Sequence, residues 1–285
     1  FLTGRSAELI LIGGTNVYPA EIDDTLLLLT SDEEGDATDG TVAVVQAFEA
    51  RGERIDYCIV GEPTSMQVVT GHKGKRSFIA NVRGLESHSA LAPLGVNAVE
   101  YAAELITYMK NMARRIEAEG PFDELYEITH TTVHTGLISG GVQLNIVPNS
   151  CRVEFEFRYL ANHDPDALEA EIREYAKDTL EPKMHAISAE TGIDIECYND
   201  MPGLEMDPGE DVVAFVKALA GRNDHAKVAF GTEAGLFHTR VQIPTVVCGP
   251  GDIAVAHKPN EFIPLDQIAK GEDFMRRLLE EVSAD

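Results

Sequence analysis

Three consecutive carboxylates follow a run of leucines near the start of the chain. The leucines occupy residues 26–29, and Asp32, Glu33 and Glu34 come shortly after them. Carboxylates crowded at the end of a buried strand repel one another unless a metal ion, a basic substrate or water lies beside them. Adjacent residues that leave a strand point in different directions, so one carboxylate can ligate a metal while its neighbour acts as general base on a water molecule. A solvated acidic turn is the alternative interpretation.

Two further segments place a candidate metal ligand just after an apolar run. Glu62 follows a short strand in "IVGEPTS", and His257 lies in the Gly- and Pro-rich segment "GPGDIAVAHKPNEF". Carboxylate and imidazole are ligands that zinc accepts readily. Taken singly, Glu62 could be a turn carboxylate and His257 a solvated loop side chain. In open α/β sheets, however, ligand sites lie beyond the carboxyl ends of the strands, where all three segments are predicted to be.

Residues 76–201 are predicted to form one α+β unit. Phe78, Ala80 and Val82 alternate with more polar neighbours and predict a strand, and apolar residues at helical spacing over 98–116 predict an amphipathic helix. β-rich segments follow at 128–138, 151–159 and 193–197, and a second helix begins after Asp164-Pro165 and runs to Pro182. Together these elements give the order β-α-β-β-α-β of a ferredoxin-like unit.

The flanking segments have a different character. Short apolar strands at 54–63 and 243–251 end in Gly and Pro, and they alternate with helical segments near 37–50, 210–220 and 264–281. This pattern is typical of α/β domains whose strands are buried on both faces. We therefore expect one α/β domain, made of residues 1–75 and 202–285, that is interrupted by the α+β unit.

The composition excludes several classes of partner. The chain has 48 Asp and Glu against 23 Lys and Arg, a net charge of −25, so it repels phosphate backbones and no nucleic-acid partner is expected. No apolar run is long enough to cross a membrane, and the first residues lack the features of a signal peptide, so no membrane association is expected. Four widely spaced cysteines suit a reducing cytoplasm; they are Cys58, Cys151, Cys197 and Cys248.

Several motifs in the same order resemble the zinc-dependent N-acyl-amino-acid deacylases. The segments "TSDEEGDATDGT" and "YCIVGEPTS" are most similar to succinyl-diaminopimelate desuccinylase. From about residue 67 the motifs are similar to acetylornithine deacetylase, in "GHKGKRSFIANVRGLESHSALAPLGVNAVEYA", "LNIVPNSCRVEFEFRY", "FGTEAGLFH" and "CGPGDIAVAHKPNEF". The resemblance covers about 27–283. It implies an α/β metallohydrolase domain interrupted by a lid and dimerisation domain at 76–201, and a homodimer.

The resemblance also implies the reaction and the metal site. The enzyme would hydrolyse the amide of a small N-acyl amino acid with zinc, for which cobalt or manganese can substitute. N-acetylornithine, in arginine biosynthesis, is the first substrate, and N-succinyl-diaminopimelate is the alternative. By matching motifs, Glu33 is the general base, Glu34 and Glu62 are ligands of different metals in a two-zinc site, and His257 is the last histidine ligand.

The remaining matches concern the substrate. His88, in "SHSA", matches a histidine that reaches into the partner subunit's site and steadies the oxyanion. Asn145 and Arg158 match lid residues that hold the substrate carboxylate, for which the planar fork of Arg is suited. Thr232 and Gly235 match a loop that shapes the pocket. For Arg158 a cross-strand pair with a neighbouring Glu is the alternative.

The beginning of the chain departs from the family pattern. The family has a His-x-Asp motif and a bridging Asp well before the acidic cluster, whereas the first histidine here is His72, and Asp23 and Asp24 lie at the wrong end of the leucine strand. The N-terminal part of the catalytic domain is thus interpreted as missing or replaced. This chain is expected to be inactive, or nearly so, and to hold at most weak or partial zinc.

Residues 2–23, "LTGRSAELILIGGTNVYPAEID", resemble instead the hinge motif of adenylate-forming acyl-CoA synthetases. A strand, a Gly-Gly turn and a helix start form the alternative interpretation. Two further functions stay open beside the hydrolase: a fragment of an adenylate-forming ligase, for which the chain lacks a phosphate-binding loop, and a non-catalytic dimerising homologue that has lost the metal site. Metal analysis distinguishes the hydrolase from the non-catalytic homologue.

Overall fold

The computed structural model describes residues 7–13, 21–22, 25–30, 40–52, 54–256 and 258–283, with the backbone alone for the three strands before residue 31. The chain forms two compact units. Unit 1 comprises Phe1–Lys73, Leu125–Glu127 and Met201–Asp285, and unit 2 comprises Gly74–Glu124 and Ile128–Asp200.

In chain order the strands of the described residues are β1 (Ala7–Gly13), β2 (Glu21–Ile22), β3 (Thr25–Thr30), β4 (Ile55–Val60), β5 (Val68–His72), β6 (Gly74–Arg83), β7 (Thr132–Gly140), β8 (Ser150–Tyr159), β9 (Gly192–Met201), β10 (Leu204–Glu205), β11 (His225–Val228) and β12 (Thr245–Val247). The α-helices are α1 (Thr41–Arg51), α2 (Ala98–Glu119), α3 (Pro165–Glu174), α4 (Glu181–His185), α5 (Asp211–Ala220), α6 (Ala234–Arg240) and α7 (Leu265–Val282). No helix in these described segments is both long enough and apolar enough to cross a membrane.

Unit 1 is built on a mixed sheet with helices packed against it. Its strand order within the described residues is β10-β5-β12-β4-β1-β3-β2, and β11 also pairs with β5. The four central strands β12, β4, β1 and β3 run parallel. The core of the unit buries apolar side chains of β4, β5, β12, α1, α5, α6 and α7, as the apolar runs in the sequence predict.

The strand β1 comes from the segment that resembles the synthetase hinge. It lies between β3 and β4 and is parallel to both, with Gly13 opposite Thr30 and Leu11 opposite Val60. The strand of the alternative interpretation is therefore present. The predicted Gly-Gly turn and helix start fall mostly on residues 14–20, which lie outside the described residues.

Unit 2 has the predicted βαββαβ order. Its four-stranded sheet has the order β7-β8-β6-β9, and α2 and the second helical region pack on it. The alternation along β6 and β8 predicts the buried side chains correctly. On β6, Phe78, Ala80 and Val82 are buried. Val153 and Phe155 are likewise buried, so the two strands present one apolar face to the core.

The second helical region of unit 2 begins as predicted and continues differently. Asp164 caps α3 by accepting a hydrogen bond from the backbone N of Asp166 at 2.9 Å, and Pro165 occupies the first turn. After Glu174 the backbone widens into a π-helical segment over Tyr175–Leu180, which α4 then follows. The helix does not stop at Pro182, because this proline lies in the first turn of α4, where no backbone N–H is needed.

Candidate active site

The carboxyl ends of the central strands of unit 1 lie at one edge of the sheet. Strands β3, β4 and β12 end at Thr30, Val60 and Val247, and the parallel pairings align these ends. Glu62 comes two residues after β4. Glu33 and Glu34 follow β3 but lie outside the described residues, as does His257 in the loop after β12.

The Glu62 loop is fixed by the loop that follows β12. The backbone N of Thr64 donates to the carbonyl O of Glu62 at 2.8 Å, which makes a tight turn around Pro63. The carbonyl O of Gly249 accepts hydrogen bonds from the N of Thr64 at 3.2 Å and from the N of Met66 at 2.8 Å. A Cβ at Gly249 would lie 2.5 Å from the carbonyl O of Glu62, so only glycine permits this approach.

A strained turn connects this loop to β5. Ser65 and Met66 have φ values of 55° and 60°, and the N of Gln67 donates to the carbonyl O of Thr64 at 3.0 Å. These features describe a type I′ turn, which usually contains Asn and Gly. Gly251 stabilises the strained backbone because its carbonyl O accepts from Ser65 N at 2.6 Å and from Ser65 Oγ at 3.1 Å.

An ion pair supports the same turn from outside. Arg222 donates to the carbonyl O of Ser65 at 3.4 Å and binds Asp224 through Nε and Nη2 at 2.8 and 2.6 Å. Asp224 also accepts from Gln67 Nε2 at 2.7 Å. The hydrogen bond from Arg222 is the main cause that lowers the pKa of Asp224 to about 2.

A cavity of about 650 Å³ adjoins the loops after β4 and β12 and is bounded by α7. Its lining is mostly apolar, with Met66, Phe262 and Ile263 among the side chains. The charged side chains among the described lining residues are Asp252, Glu261 and Glu272, which are all acidic. A substrate carboxylate would be repelled there, so the cavity does not suit the charged end of an amino acid.

The Thr232–Gly235 loop opens α6. Thr232 is buried, and its Oγ1 accepts from the N of Ala234 at 3.1 Å. A Cβ at Gly235 would lie 1.9 Å from the carbonyl O of Pro202, so this position also requires glycine. Glu233 is fully buried, and its charge, after burial itself, is the second cause that raises the pKa of Cys58.

His72 holds the same loop, which the sequence analysis did not anticipate. Its Nε2 lies 3.2 Å from the backbone N of Gly235, and its Nδ1 lies 3.1 Å from the carbonyl O of Lys73. The ring is fully buried, and this burial lowers the pKa of His72 to about 4. The one sequence signal was a polar residue at the end of the apolar segment "VVTGH".

In unit 2 the structure brings His88 and Asn145 together. His88 forms an antiparallel bridge with Ile146, and the N of the next residue, Ser89, donates to the carbonyl O of Asn145 at 3.0 Å. The exposed ring of His88 accepts a hydrogen bond from the N of Ala90 at its Nδ1, at 3.1 Å. In a neutral ring Nε2 then carries the hydrogen and is a donor, as contact with an oxyanion requires.

Arg158 lies on β8 and is paired within unit 2. Its Nε donates to Oε1 of Glu156 at 2.9 Å, two residues away on the same face of the same strand. The expected alternative was a cross-strand pair, whereas the observed partner belongs to the same strand. The Arg158 side chain is about one-third exposed, which leaves part of its surface open to solvent.

The predicted metal donors fit zinc in their chemistry. Within the described residues no group of three His, Cys, Asp or Glu side chains could hold a metal, and Glu62 is the one predicted ligand among them. A partly buried carboxylate in a rigid loop at the carboxyl edge of a sheet is a suitable donor for a divalent ion. Glu34 and His257 would add oxygen and nitrogen donors, which is a set that zinc accepts.

Comparisons with known proteins identify relatives of the chain. Residues 70–184 match the family described as peptidase dimerisation domain. Acetylornithine deacetylase of Myxococcus xanthus is 31% identical over 252 residues, which are 88% of this chain and 63% of the relative. Succinyl-diaminopimelate desuccinylase of Paraburkholderia xenovorans is 31% identical over 277 residues, which are 94% of this chain and 68% of the relative. The chain thus spans about two thirds of the length of these relatives.

Solved structures show the same fold. The aminopeptidase PepT of Bacillus cereus superposes with a TM-score of 0.72 at 21% identity, covering 98% of this chain and 81% of the other. An M20 family metallo-carboxypeptidase of Sulfolobus solfataricus superposes with a TM-score of 0.62 at 18% identity, covering 90% and 69%. The chain has an α/β unit and an inserted βαββαβ unit, and its relatives share both its sequence and its fold. This chain therefore belongs to the M20 family of metallopeptidases and deacylases.

Proposed function

We propose that this protein is a zinc-dependent hydrolase that cleaves the amide bond of a small N-acyl amino acid. In this proposal residues 1–75 and 202–285 form the catalytic domain, and residues 76–201 form the lid and dimerisation domain. The observation that carries it is the position of Glu62, in a loop fixed against Gly249 at the carboxyl edge of parallel strands. The named relatives, two amide-cleaving deacylases, support the same reaction class.

Glu34, Glu62 and His257 would hold the metal. Bound zinc would supply Lewis-acid polarisation of the amide carbonyl and would lower the pKa of the attacking water. Glu33 accepts the proton from that water and returns it to the amine as the C–N bond breaks, so that the products are a carboxylate and a free amino acid. Loss of such a base typically lowers the rate by ~10²–10⁴.

The other predicted residues bind substrate. His88 would donate from Nε2 to the developing oxyanion, and Asn145 and Arg158 would hold the substrate carboxylate. The rigid backbone of the Thr232–Gly235 loop supports its assignment as a wall of the pocket.

A homodimer is part of the proposal. Strand β7 is at one edge of the four-stranded sheet and exposes Leu137 and Ile138, whose side chains are 62% and 52% exposed. An apolar edge strand of this kind is suited to pairing with a second chain. In that dimer His88 would serve the site of the partner subunit. The free cysteines suit the cytoplasm as the compartment.

N-acetylornithine is the proposed substrate and N-succinyl-diaminopimelate its rival. The motifs after residue 67, which include the lid, are similar to acetylornithine deacetylase, and a lid-borne pocket would determine which acyl amino acid binds. Both substrates should be assayed with a catalytically complete, zinc-loaded form of the enzyme. A higher kcat/KM for N-acetylornithine would support the proposal, and a preference for the succinyl substrate would contradict it.

A non-catalytic homologue is the second candidate function. It is favoured by the absence of a histidine before His72 in the sequence. Zinc content and turnover of the purified protein distinguish the two functions: a stable dimer that neither binds zinc nor cleaves either substrate would support the non-catalytic one.

A further inference from the structure

His72 joins two distant parts of unit 1. It is the last residue of β5, and its ring lies in the interior beside the start of α6. Its Nε2 is 3.2 Å from the N of Gly235, which lies 163 positions further along the chain. The ring is completely buried, so it cannot itself touch a substrate.

The two contacts of the ring determine its tautomer. The N–H of Gly235 can only donate, so Nε2 must be the unprotonated acceptor. The carbonyl O of Lys73 can only accept, so Nδ1, at 3.1 Å, carries the hydrogen. A single neutral tautomer satisfies both bonds, whereas a protonated ring would place two N–H groups against each other.

Gly235 is held from its other side as well. A Cβ at this position would lie 1.9 Å from the carbonyl O of Pro202. The peptide of Gly235 is thus fixed between His72 and Pro202. Three residues before Gly235, Thr232 Oγ1 accepts from the N of Ala234 at 3.1 Å, so the loop backbone has few remaining degrees of freedom.

We propose that His72 is a positioning residue that holds the Thr232–Gly235 loop in the conformation that binds substrate. This inference rests on the proposed function, in which the loop is a wall of the substrate pocket. His72 acts through Gly235 alone, by supplying a buried acceptor at a fixed point. A buried N–H that loses its acceptor makes the native loop conformation less favourable.

Three variants of His72 distinguish an acceptor from a space-filling side chain. In His72→Gln the amide O can take the place of Nε2 and accept from Gly235. His72→Leu keeps much of the volume and offers no acceptor. In His72→Asn the side-chain amide can occupy the position of Nδ1 but is too short to accept from Gly235. This variant replaces His72→Leu if His72→Leu does not fold. Thr70→Val is the matched control, because Thr70 is buried on the same face of β5 and contacts Ala226.

Amide exchange of Gly235, followed by NMR on the full chain, is the first measurement. The proposal predicts exchange about tenfold faster in His72→Leu and His72→Asn, and exchange close to wild type in His72→Gln and Thr70→Val. Equal exchange in all variants would overturn it.

Kinetics of a catalytically complete, zinc-loaded form of the enzyme on N-acetylornithine are the second measurement. We expect KM to rise about tenfold in the Leu and Asn variants with a smaller change in kcat, and to recover in His72→Gln. Faster exchange with an unchanged KM would overturn the role of the loop in substrate binding. A catalytically complete form of the enzyme that cleaves no N-acyl amino acid would instead contradict the proposed function, and the exchange experiment would still decide whether His72 positions the loop.

Discussion

Gly249 lies so close to Glu62 that a Cβ at Gly249 would come within 2.5 Å of the carbonyl O of Glu62. The two residues belong to the loops after β12 and β4, which are neighbouring parallel strands. Hydrogen bonds from Thr64 and Met66 to the carbonyl O of Gly249 reinforce this contact. The proposed metal ligand therefore lies on a backbone whose position depends on a residue 187 positions later.

Gly249→Ala should displace the Glu62 loop. The added methyl group cannot be accommodated without movement of backbone atoms, and overpacking of this kind typically costs about 1–3 kcal/mol. We expect a lower melting temperature and weaker zinc binding, measured by calorimetry. Gly136→Ala is the control, because nothing lies within 3.8 Å of its added Cβ. Zinc affinity equal to that of the control would contradict the link between Gly249 and the metal site.

Glu33→Gln should separate base catalysis from metal binding. If Glu33 is the general base, Glu33→Gln in a catalytically complete form of the enzyme keeps its zinc and loses turnover by ~10²–10⁴. Zinc content by elemental analysis and kcat on N-acetylornithine test the two halves of this prediction. A variant that loses zinc would show that Glu33 is a ligand, and the roles of Glu33 and Glu34 would then be reversed.

His88 should act across the dimer. Glu33→Gln and His88→Ala homodimers are each expected to be inactive, while a mixture that forms heterodimers should regain part of the activity, because one of its two sites then has both residues intact. Activity after subunit exchange is the measurement. Absence of any recovery in confirmed heterodimers would mean that His88 serves its own subunit or has no catalytic role.

His72 should make the folded protein sensitive to acid. Burial lowers the pKa of His72 from 6.5 to about 4, so the unfolded chain takes up this proton at a higher pH than the folded chain does. The contribution of neutral His72 to the free energy of unfolding is greatest above about pH 6.5. It decreases as the pH falls towards 4 and changes no further below that value. The loss is on the order of 3 kcal/mol.

This pH dependence can be isolated by comparison with His72→Gln. The difference in unfolding free energy between the two proteins, measured by urea denaturation from pH 7.5 to 4, should change in this window in the direction that disfavours wild type at low pH. A difference that does not vary with pH would contradict a buried neutral His72.

The sequence was most informative where local rules decide the structure. The alternation in "CRVEFEFRY" predicts which side chains of β8 are buried, and Asp164-Pro165 predicts the start of α3, because both patterns depend on residues that are close in the chain. The π-helical segment over Tyr175–Leu180 was not predictable in this way, since its apolar spacing resembles that of an α-helix.

The candidate site shows the same division. Glu62 could be singled out because it follows an apolar strand and precedes a proline, and the sheet does place it at the carboxyl edge. The bond between His72 and Gly235 joins residues far apart in the chain, so no periodicity reports it. The partner of Arg158 was expected on a neighbouring strand, but it is Glu156 on the same strand. Residues two apart on a strand share a face, so Glu156 lies within reach of Arg158.

Zinc binding by wild type and Glu62→Gln tests the central claim most directly. Glu117→Gln, which changes an exposed carboxylate on α2, is the matched control. Titration calorimetry of metal-free protein should show that Glu62→Gln weakens zinc binding by about tenfold or more, because a directly bound ligand is lost, while Glu117→Gln has no effect. Zinc affinity that is the same in wild type, Glu62→Gln and Glu117→Gln would contradict the assignment of Glu62 as a metal ligand and the hydrolase mechanism that depends on it.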